Sequence, residues 1–418
     1  MNTAPTEIVS RARGRLGEVR HFLSEAQNHY FDPDLFRINL NACIQSSRNV
    51  TFAIQSSKSE IPNFETWYSP WQIWLKDQEL LRWLVEARNR IVKQGDLKLH
   101  SLVRVGLVFA YYDAPYQEFE VPLRFNTKKI MERVNLSQLP PNAMKDAYLR
   151  IERRWISNDL VDFELVDVLG YASAVLDRIV NDLSVYLENQ TSSISGLPGS
   201  PKSYDTLAPR AIFIKLSDGS TSTGFVTKKL KFNPDDGKKA EERYGVLPFS
   251  DIPKGVKPTL RQLAESVAKS ARAILERDGH HETMAMLFSD TNGFRMITLE
   301  PRDNAEKYLL QRKLAKDVKE FEATSIVMVG EAWTAKIDEK MPYRRAVDSP
   351  ERGESLNVWA ASKNGELVLL MQAFTREGKR LRFGELIQEN GVPYMLEPIR
   401  QVWGLPPFEN VPTHGKKP

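Results

Sequence analysis

One cysteine, six histidines and no run of roughly 18 apolar residues in a chain of 418 residues remove several classes of function at the outset. A single thiol, Cys43, excludes an internal disulfide framework and any paired-cysteine zinc site. It lies in a helix-like segment, where a small buried side chain is the expected role, and such usage fits a reducing compartment. The opening MNTAPTEIVSRARGRLGEV lacks the apolar core of about 7 to 15 residues that a signal peptide needs. With no membrane-spanning run either, a cytoplasmic location is expected. There is no G-x-x-x-x-G-K-[ST] loop to cradle phosphates, no G-x-G-x-x-G after a strand and no G-x-S-x-G elbow, so no cofactor is expected. An excess of one charge is also missing. The net charge is +4, with 23 basic against 24 acidic side chains up to residue 190 and 35 against 30 beyond it. An extended phosphate-binding footprint is therefore not expected, although a local basic groove is compatible with these figures.

What is present is ordinary for a globular chain, with 41% hydrophobic and 27% charged residues, and the length implies two domains. The dividing stretch is ENQTSSISGLPGSPKSYDTLAPR, residues 188–210, where apolar periodicity stops and Ser, Gly and Pro dominate. We therefore expect a helical domain over 1–190, with a β insertion at about 100–160, a linker over 191–209, and an α+β domain over 210–410.

Four long amphipathic patterns precede the linker. The first runs from about Glu7 to Asn28. The second starts with Asp32 as cap, Pro33 at the first helical position and Asp34 favouring the positive helix end. The third begins at Pro70 and carries Trp71, Trp74, Leu75, Leu81, Leu84, Val85, Ile91 and Val92 at a period of 3.6. The fourth spans Asp162 to about Asn189. Together they predict a four-helix bundle. Between the last two, SLVRVGLVFAYY and EFEVPLRFN read as strands and NAMKDAYLRIERRWI as a short helix. Trp67, Tyr68, Trp71 and Trp74 have the spacing of core or dimer packing rather than of a base-stacking platform.

Within the third pattern, EARNRIVKQG places Arg88 on the face formed by positions 74, 78, 81, 85, 88 and 92, inside or at the margin of the bundle. An arginine there either reaches out at the bundle end or pairs with a carboxylate such as Asp167 or Asp177. The pattern RNRIVKQG near the end of a long helix resembles the HEPN superfamily, in which a characteristic arginine, often followed by a polar residue, precedes a histidine. Arg88 and Asn89 match the first part. Lys93 stands where the family's histidine would. The resemblance covers roughly the first 190 residues. It implies a bundle that binds RNA or a partner protein, commonly as a homodimer, in bacterial antiviral defence or toxin–antitoxin systems.

The lysine changes the expected chemistry. A histidine near pKa about 6.5 both accepts and donates a proton at neutral pH, whereas an unshifted lysine near about 10.4 stays charged. The primary expectation is therefore non-catalytic binding of RNA or an acidic protein by Arg88, Asn89 and Lys93. The alternative is a metal-independent endoribonuclease in which Arg88 stabilises phosphate charge and Lys93 or His100 moves protons. A third reading is a purely structural dimerisation scaffold.

Beyond the linker, short strands and helices alternate. RAIFIKLSDGSTSTGFVTKKLKF predicts two strands around Asp218 and Gly219. KPTLRQLAESVAKSARAILERDG predicts a helix capped by Thr259 and ended by Gly279. ETMAMLFSD and GFRMITLEP predict a hairpin, followed by a helix from about Asn304 to Phe321. TSIVMVGEAWTAKI, a hairpin turning at Asn364 and Gly365, and a final FGELIQENG helix complete an α+β sandwich on a mostly antiparallel sheet.

His280, His281 and Glu282 are adjacent rather than spaced as i and i+4 ligands, so a polar turn is expected and no metal. The stretch VGEAWTAKIDEKMPYRRAVDSPERGESLNVW is similar to an EAW, proline-rich loop and R-x-E arrangement found in bacterial and phage-borne proteins. In it, Glu331 and Glu354 on neighbouring strands are placed to hold an arginine, as part of an ordinary surface ion-pair network.

Overall fold

The computed structural model describes residues 5–97, 99–108, 117–120, 122, 124–133, 147–207, 210–222, 225, 227–230, 234–246, 249–250, 252, 257–336, 344–378 and 380–408. The chain has an α+β fold made of two compact units. One comprises Met1–Val105, Tyr116–Gln138 and Ile151–Ile212, and the other comprises Gly106–Pro115, Leu139–Arg150 and Phe213–Pro418.

The first unit is built on helices α1 (Pro5–Asn28), α2 (Pro33–Ser56), α3 (Phe64–Asp77), α4 (Glu79–Gln94) and α6 (Leu165–Asn189), with a short α5 (Thr127–Met131) between strands. α1 packs along α2 and α6, and α2 also meets α4 and α6. Asp32 caps α2 by accepting from the amides of Asp34 and Leu35, with Pro33 at the first helical position, as expected from the sequence. Cys43 is fully buried on α2, and burial pushes its thiol up to about 12.

The third helical pattern departs from expectation. It starts at Phe64, carries Pro70 within it, and breaks at Gln78, whose extended backbone separates α3 from α4. Proline has no N–H to donate inside the helix, and the residue before it is biased away from helix, so Pro70 reads as a beginning. Trp67, Tyr68 and Trp71 are buried, which makes α3 a helix held by its aromatic face.

That face is anchored by one carboxylate. Asp182 of α6 is 2% exposed and accepts from Trp67 Nε1 and Trp71 Nε1, each at 2.8 Å. Ser192 Oγ donates to it at 2.8 Å and the Ser193 amide at 3.0 Å. The Ser/Gly/Pro stretch after α6 is thus irregular but strapped down. Arg178 donates to the carbonyls of Ser193 and Ser195, and Ile194 and Leu197 pack on the helical core. Composition hid this because the strap's order comes from hydrogen bonds to a buried acid rather than from its own apolar content.

Strands β1 (Leu99–Val108), β2 (Gln117–Glu120), β3 (Tyr148–Ser157), β4 (Arg210–Lys215) and β5 (Thr221–Ser222) are ordered β2-β1-β3-β4-β5. The expected helix around NAMKDAYLRIERRWI is β3 where it is described, while residues 141–146 lie outside the described residues, as do 121 and 123 of the second expected strand. A central strand buried on both faces shows no two-residue alternation to read.

The second unit is a seven-stranded sheet ordered β12-β11-β10-β9-β7-β8-β6. Its strands are β6 (Lys228–Leu230), β7 (Met284–Ser289), β8 (Gly293–Thr298), β9 (Ser325–Thr334), β10 (Gly353–Ser362), β11 (Leu367–Glu377) and β12 (Arg380–Gln388). The pairings β7–β8, β7–β9, β9–β10, β10–β11 and β11–β12 are all antiparallel. Alternation along β9 sorts the two faces. Val327 and Val329 join α8 (Leu260–Asp278) in one core, while Ile326 and Met328 join α9 (Asn304–Glu320) and α10 (Glu397–Val402) in another. A short helix α7 (Pro234–Tyr244) packs on α8. Thr259 and Gln262 form the capping box of α8, and Gly279 ends it at φ 77°.

FGELIQENG is not a helix. Residues 383–388 belong to β12, which stands at one end of the sheet order, and Leu386 and Ile387 are 44% and 43% exposed. Their spacing from Phe383 mimics a helical stripe, but the pairing with β11 overrides it.

The Asp182 cluster makes a stability prediction. Burial opposes ionisation of Asp182, but the Ser193 amide, Trp71, Ser192 and Trp67 outweigh it and hold the carboxyl below the usual carboxylate range. Its contribution is present above the unfolded pKa of about 3.9 and is lost as pH falls through the depressed folded value. Asp182→Asn replaces one acceptor oxygen by an NH2 donor, so either the indoles with Ser192 or the Ser193 amide lose their acceptor, which should cost about 2–3 kcal/mol in urea unfolding at pH 7. The difference from wild type should shrink as pH falls below about 4.

Candidate functional site

On the helical unit, α2, α3, α4 and α6 enclose an open groove of about 450 Å³. Its floor is apolar, with Ile44, Val175 and Leu176 buried beneath half-buried Leu75 and Leu84 and exposed Val85. The groove exists because α2 carries two stripes. Cys43, Val50 and Ile54 fill the core, while Ser47, Arg48, Thr51 and Gln55 line the groove at spacings of three and four. The Asp182 clasp sets the other wall by fixing α3, whose Tyr68, Gln72, Leu75 and Lys76 look onto the same space. Tyr68 is 1% exposed, and its hydroxyl accepts from Gln55 Nε2 at 3.0 Å. Burial raises its pKa against the pull of Gln55 and Arg48.

Four cations line this groove, Arg48, Lys76, Arg82 and Arg88, against one carboxylate, Glu86. Among the described residues none of the four has an ion-pair partner. Arg48 donates to Thr51 Oγ1 at 2.6 Å and to Gln55 at 3.3 Å, Arg82 to the Lys76 carbonyl at 2.7 Å, and Arg88 to its neighbour Asn89 at 3.1 Å. These guanidiniums hold neutral acceptors, which leaves their charge uncompensated. The carboxylates proposed for Arg88 are taken by other arginines. Asp177 pairs with Arg20 at 2.7 Å and Asp167 with Arg210 at 3.0 Å.

The residues picked out by sequence therefore separate. Arg88, half-buried at the margin of α4, and exposed Asn89 both line the groove. Lys93 is exposed on the last turn of α4 and is not among the lining residues. His100 is on β1, its Nδ1 at 2.8 Å from Asn158 Oδ1. Arg48, Lys76 and Arg82 were not anticipated. The signal for Arg48 was a small polar stripe, Ser47, Thr51 and Gln55, beside the apolar one on the same helix.

Comparison with known proteins identifies the lineage. A model of the family described as bacteriophage lambda protein ea47 matches residues 2–413. The chain belongs to that family. It is 32% identical over 334 residues to Protein ea47 of Escherichia phage lambda, a match covering 77% of this chain and 78% of that protein. No solved structure matches.

This corrects the resemblance to the HEPN superfamily. The ea47 family model spans both units, whereas that resemblance rested on a short arginine-led motif whose histidine position holds Lys93. Short basic motifs at the ends of amphipathic helices recur by chance in arginine-rich chains. The expectations of RNA cleavage, defence and toxin–antitoxin roles drew on that likeness and lose its support.

Arg210, paired with the carboxyls of Glu164 and Asp167, and Arg88, without an ion-pair partner among the described residues, should behave differently. Arg210 donates to Glu164 Oε2 at 2.7 Å, and Glu164 is 2% exposed, with burial raising its pKa to about 7 against the pull of Arg210. Arg210→Ala should cost about 1–3 kcal/mol in chemical denaturation, because it strands a buried carboxyl. Arg88→Ala should stay within about 0.5 kcal/mol of wild type.

Proposed function

We propose that the helical unit is a docking module for an acidic, amphipathic helix of a protein partner in the cytoplasm. The observation that carries this reading is the pairing of an apolar floor with Arg48, Lys76, Arg82 and Arg88 at its rim, all without ion-pair partners among the described residues. A helix with apolar residues at i, i+3, i+4 and i+7 fits an apolar groove, and Asp or Glu beside that stripe meets the cations. RNA is the weaker reading of the same cations. Base stacking needs exposed aromatic faces, and Tyr68, the groove's aromatic side chain, is 1% exposed with its ring packed against Phe64 and Trp67. An apolar floor also adds nothing to phosphate binding.

Selection from a display library of random helical peptides against the full chain tests this reading. Enrichment of Asp and Glu flanking an apolar stripe is expected, with binding weakened at least about tenfold by Arg48→Glu with Arg88→Glu, and with modest dependence on salt. Enrichment that is indifferent to these charge reversals would overturn it. So would a single-stranded RNA that binds the groove with a steep salt slope in place of the peptides.

A further inference from the structure

The C-terminal unit carries a second cavity, of about 610 Å³, that the docking reading does not use. The volume is in the range of pockets that enclose small molecules, about 300–1,000 Å³. It lies among α7, α8 and the strands β7, β8 and β9, with Met284, Met286, Met296, Phe294, Ile274 and Val267 on its walls. Thioether side chains adapt to irregular apolar shapes and contact aromatic rings well. This wall accepts an apolar body without dictating its outline.

Lys229, Asp236, Tyr244, Ser270 and Arg295 also border it, each with a contact of its own to Asp317, Lys239, Asp278, the Ser266 carbonyl and the Phe321 ring respectively, and one polar side chain stands apart from them. His281 lines the cavity and is 7% exposed, and its Nδ1 is buried without a hydrogen-bond partner. The adjacency of His280, His281 and Glu282 predicts a polar turn for this residue. Its neighbour His280 is exposed as expected, but His281 turns inward. The backbone that carries it is held firmly. The His281 amide donates to Glu331 Oε1 at 2.6 Å, and the other Glu331 oxygen accepts from Arg376 at 2.7 Å. Arg376 also donates to both Glu354 oxygens at 3.0 Å and to the Gly279 carbonyl at 2.6 Å. Glu331 and Glu354 thus do hold an arginine, as their strand positions implied, and the network fixes the turn on both sides of His280. Gly330 completes the fit, since a Cβ there would lie 2.7 Å from Thr283 Oγ1.

A buried ring nitrogen without a hydrogen-bond partner is costly unless something else supplies one. Burial lowers the pKa of His281, so the ring is neutral near pH 7 and offers one donor and one acceptor nitrogen. Such a ring matches an oxygen-bearing group, which either donates to it or accepts from it. We propose that this cavity binds a small apolar molecule bearing one hydroxyl or carboxyl head group, its body on the methionine wall and its head group hydrogen-bonded to His281 Nδ1.

The test uses the full chain labelled with 13C at methionine methyls, titrated with decanol and separately with decanoic acid. Saturable shifts are expected for Met284, Met286 and Met296, with little change at Met328, which packs on the opposite face of the sheet. The head group that binds more tightly distinguishes the alcohol from the acid. His281→Leu should weaken binding about tenfold, and Ala240→Trp on α7, which fills the cavity, should abolish it. An unchanged Met328 resonance in each variant certifies the fold, and if His281→Leu disturbs it, Ala240→Trp decides alone. Absence of saturable shifts in wild type would overturn the proposal. So would shifts that persist in Ala240→Trp, or full affinity in a folded His281→Leu chain.

Discussion

Asp182 accepts from two tryptophan indoles on α3 and from two serines beyond α6, and much of the helical unit's shape follows from that arrangement. A buried carboxylate is tolerable only when its lone pairs are filled by donors, and here four donors fill them. The donors come from segments distant in sequence, so the acid does the work of a cross-link. It turns α3 aromatic face inward, leaves Gln72, Leu75 and Lys76 facing the groove, and pins the Ser-rich strap on α6. Because α3 is short and carries Pro70, its own helical propensity is a poor source of order. Tertiary hydrogen bonding supplies it instead.

Charge is distributed unequally in the same unit. Four carboxylates on α6 or at its start are spent on structure: Asp177 on Arg20, Asp167 and Glu164 on Arg210, and Asp182 on the indoles and serines. The groove cations Arg48, Lys76, Arg82 and Arg88 have no such claim on them among the described residues. A near-neutral half-chain thereby presents a locally positive surface over an apolar floor. In the C-terminal unit the emphasis reverses. Arg376 is absorbed by Glu331 and Glu354, and the neutral ring nitrogen of His281 is among the buried groups left without a hydrogen-bond partner, with Gln311 Oε1 and Arg400 Nε.

Long helices and hairpins were legible because their signals are local. Asp32 with Pro33, Thr259 with Gln262, and Asn364 with Gly365 each specify a cap or turn through nearby backbone chemistry. β3 and β12 misled for opposite reasons. β3 is buried on both faces and shows no alternation, whereas β12 is widely exposed and carries apolar residues at helical spacing by accident. Arg88 was visible as a candidate because it interrupts an apolar stripe, whereas Asn89 was singled out only through the HEPN resemblance that the family match corrects. Arg48, Lys76 and Arg82 were not, since only the tertiary assembly of α2, α3 and α4 brings them to one cleft. His281 was hidden for the same reason, its burial depending on strands 50 and 95 residues further along, which its bonds to Glu331 and the bond from Arg376 to Gly279 make plain.

Membership of the ea47 family covers both units, so the clasp and the groove belong to a chain that matches its family from end to end rather than to a borrowed helical module. Hydrogen–deuterium exchange of the full chain, compared between wild type and Asp182→Asn, reads directly whether the buried carboxylate holds α3. Faster exchange is expected in 64–77 and 192–197, spreading to the groove segment 44–55, with 325–334 and 353–362 of the C-terminal unit unchanged. Unaltered protection of 64–77 in the variant would contradict it, because α3 would then be held by something other than the buried carboxylate.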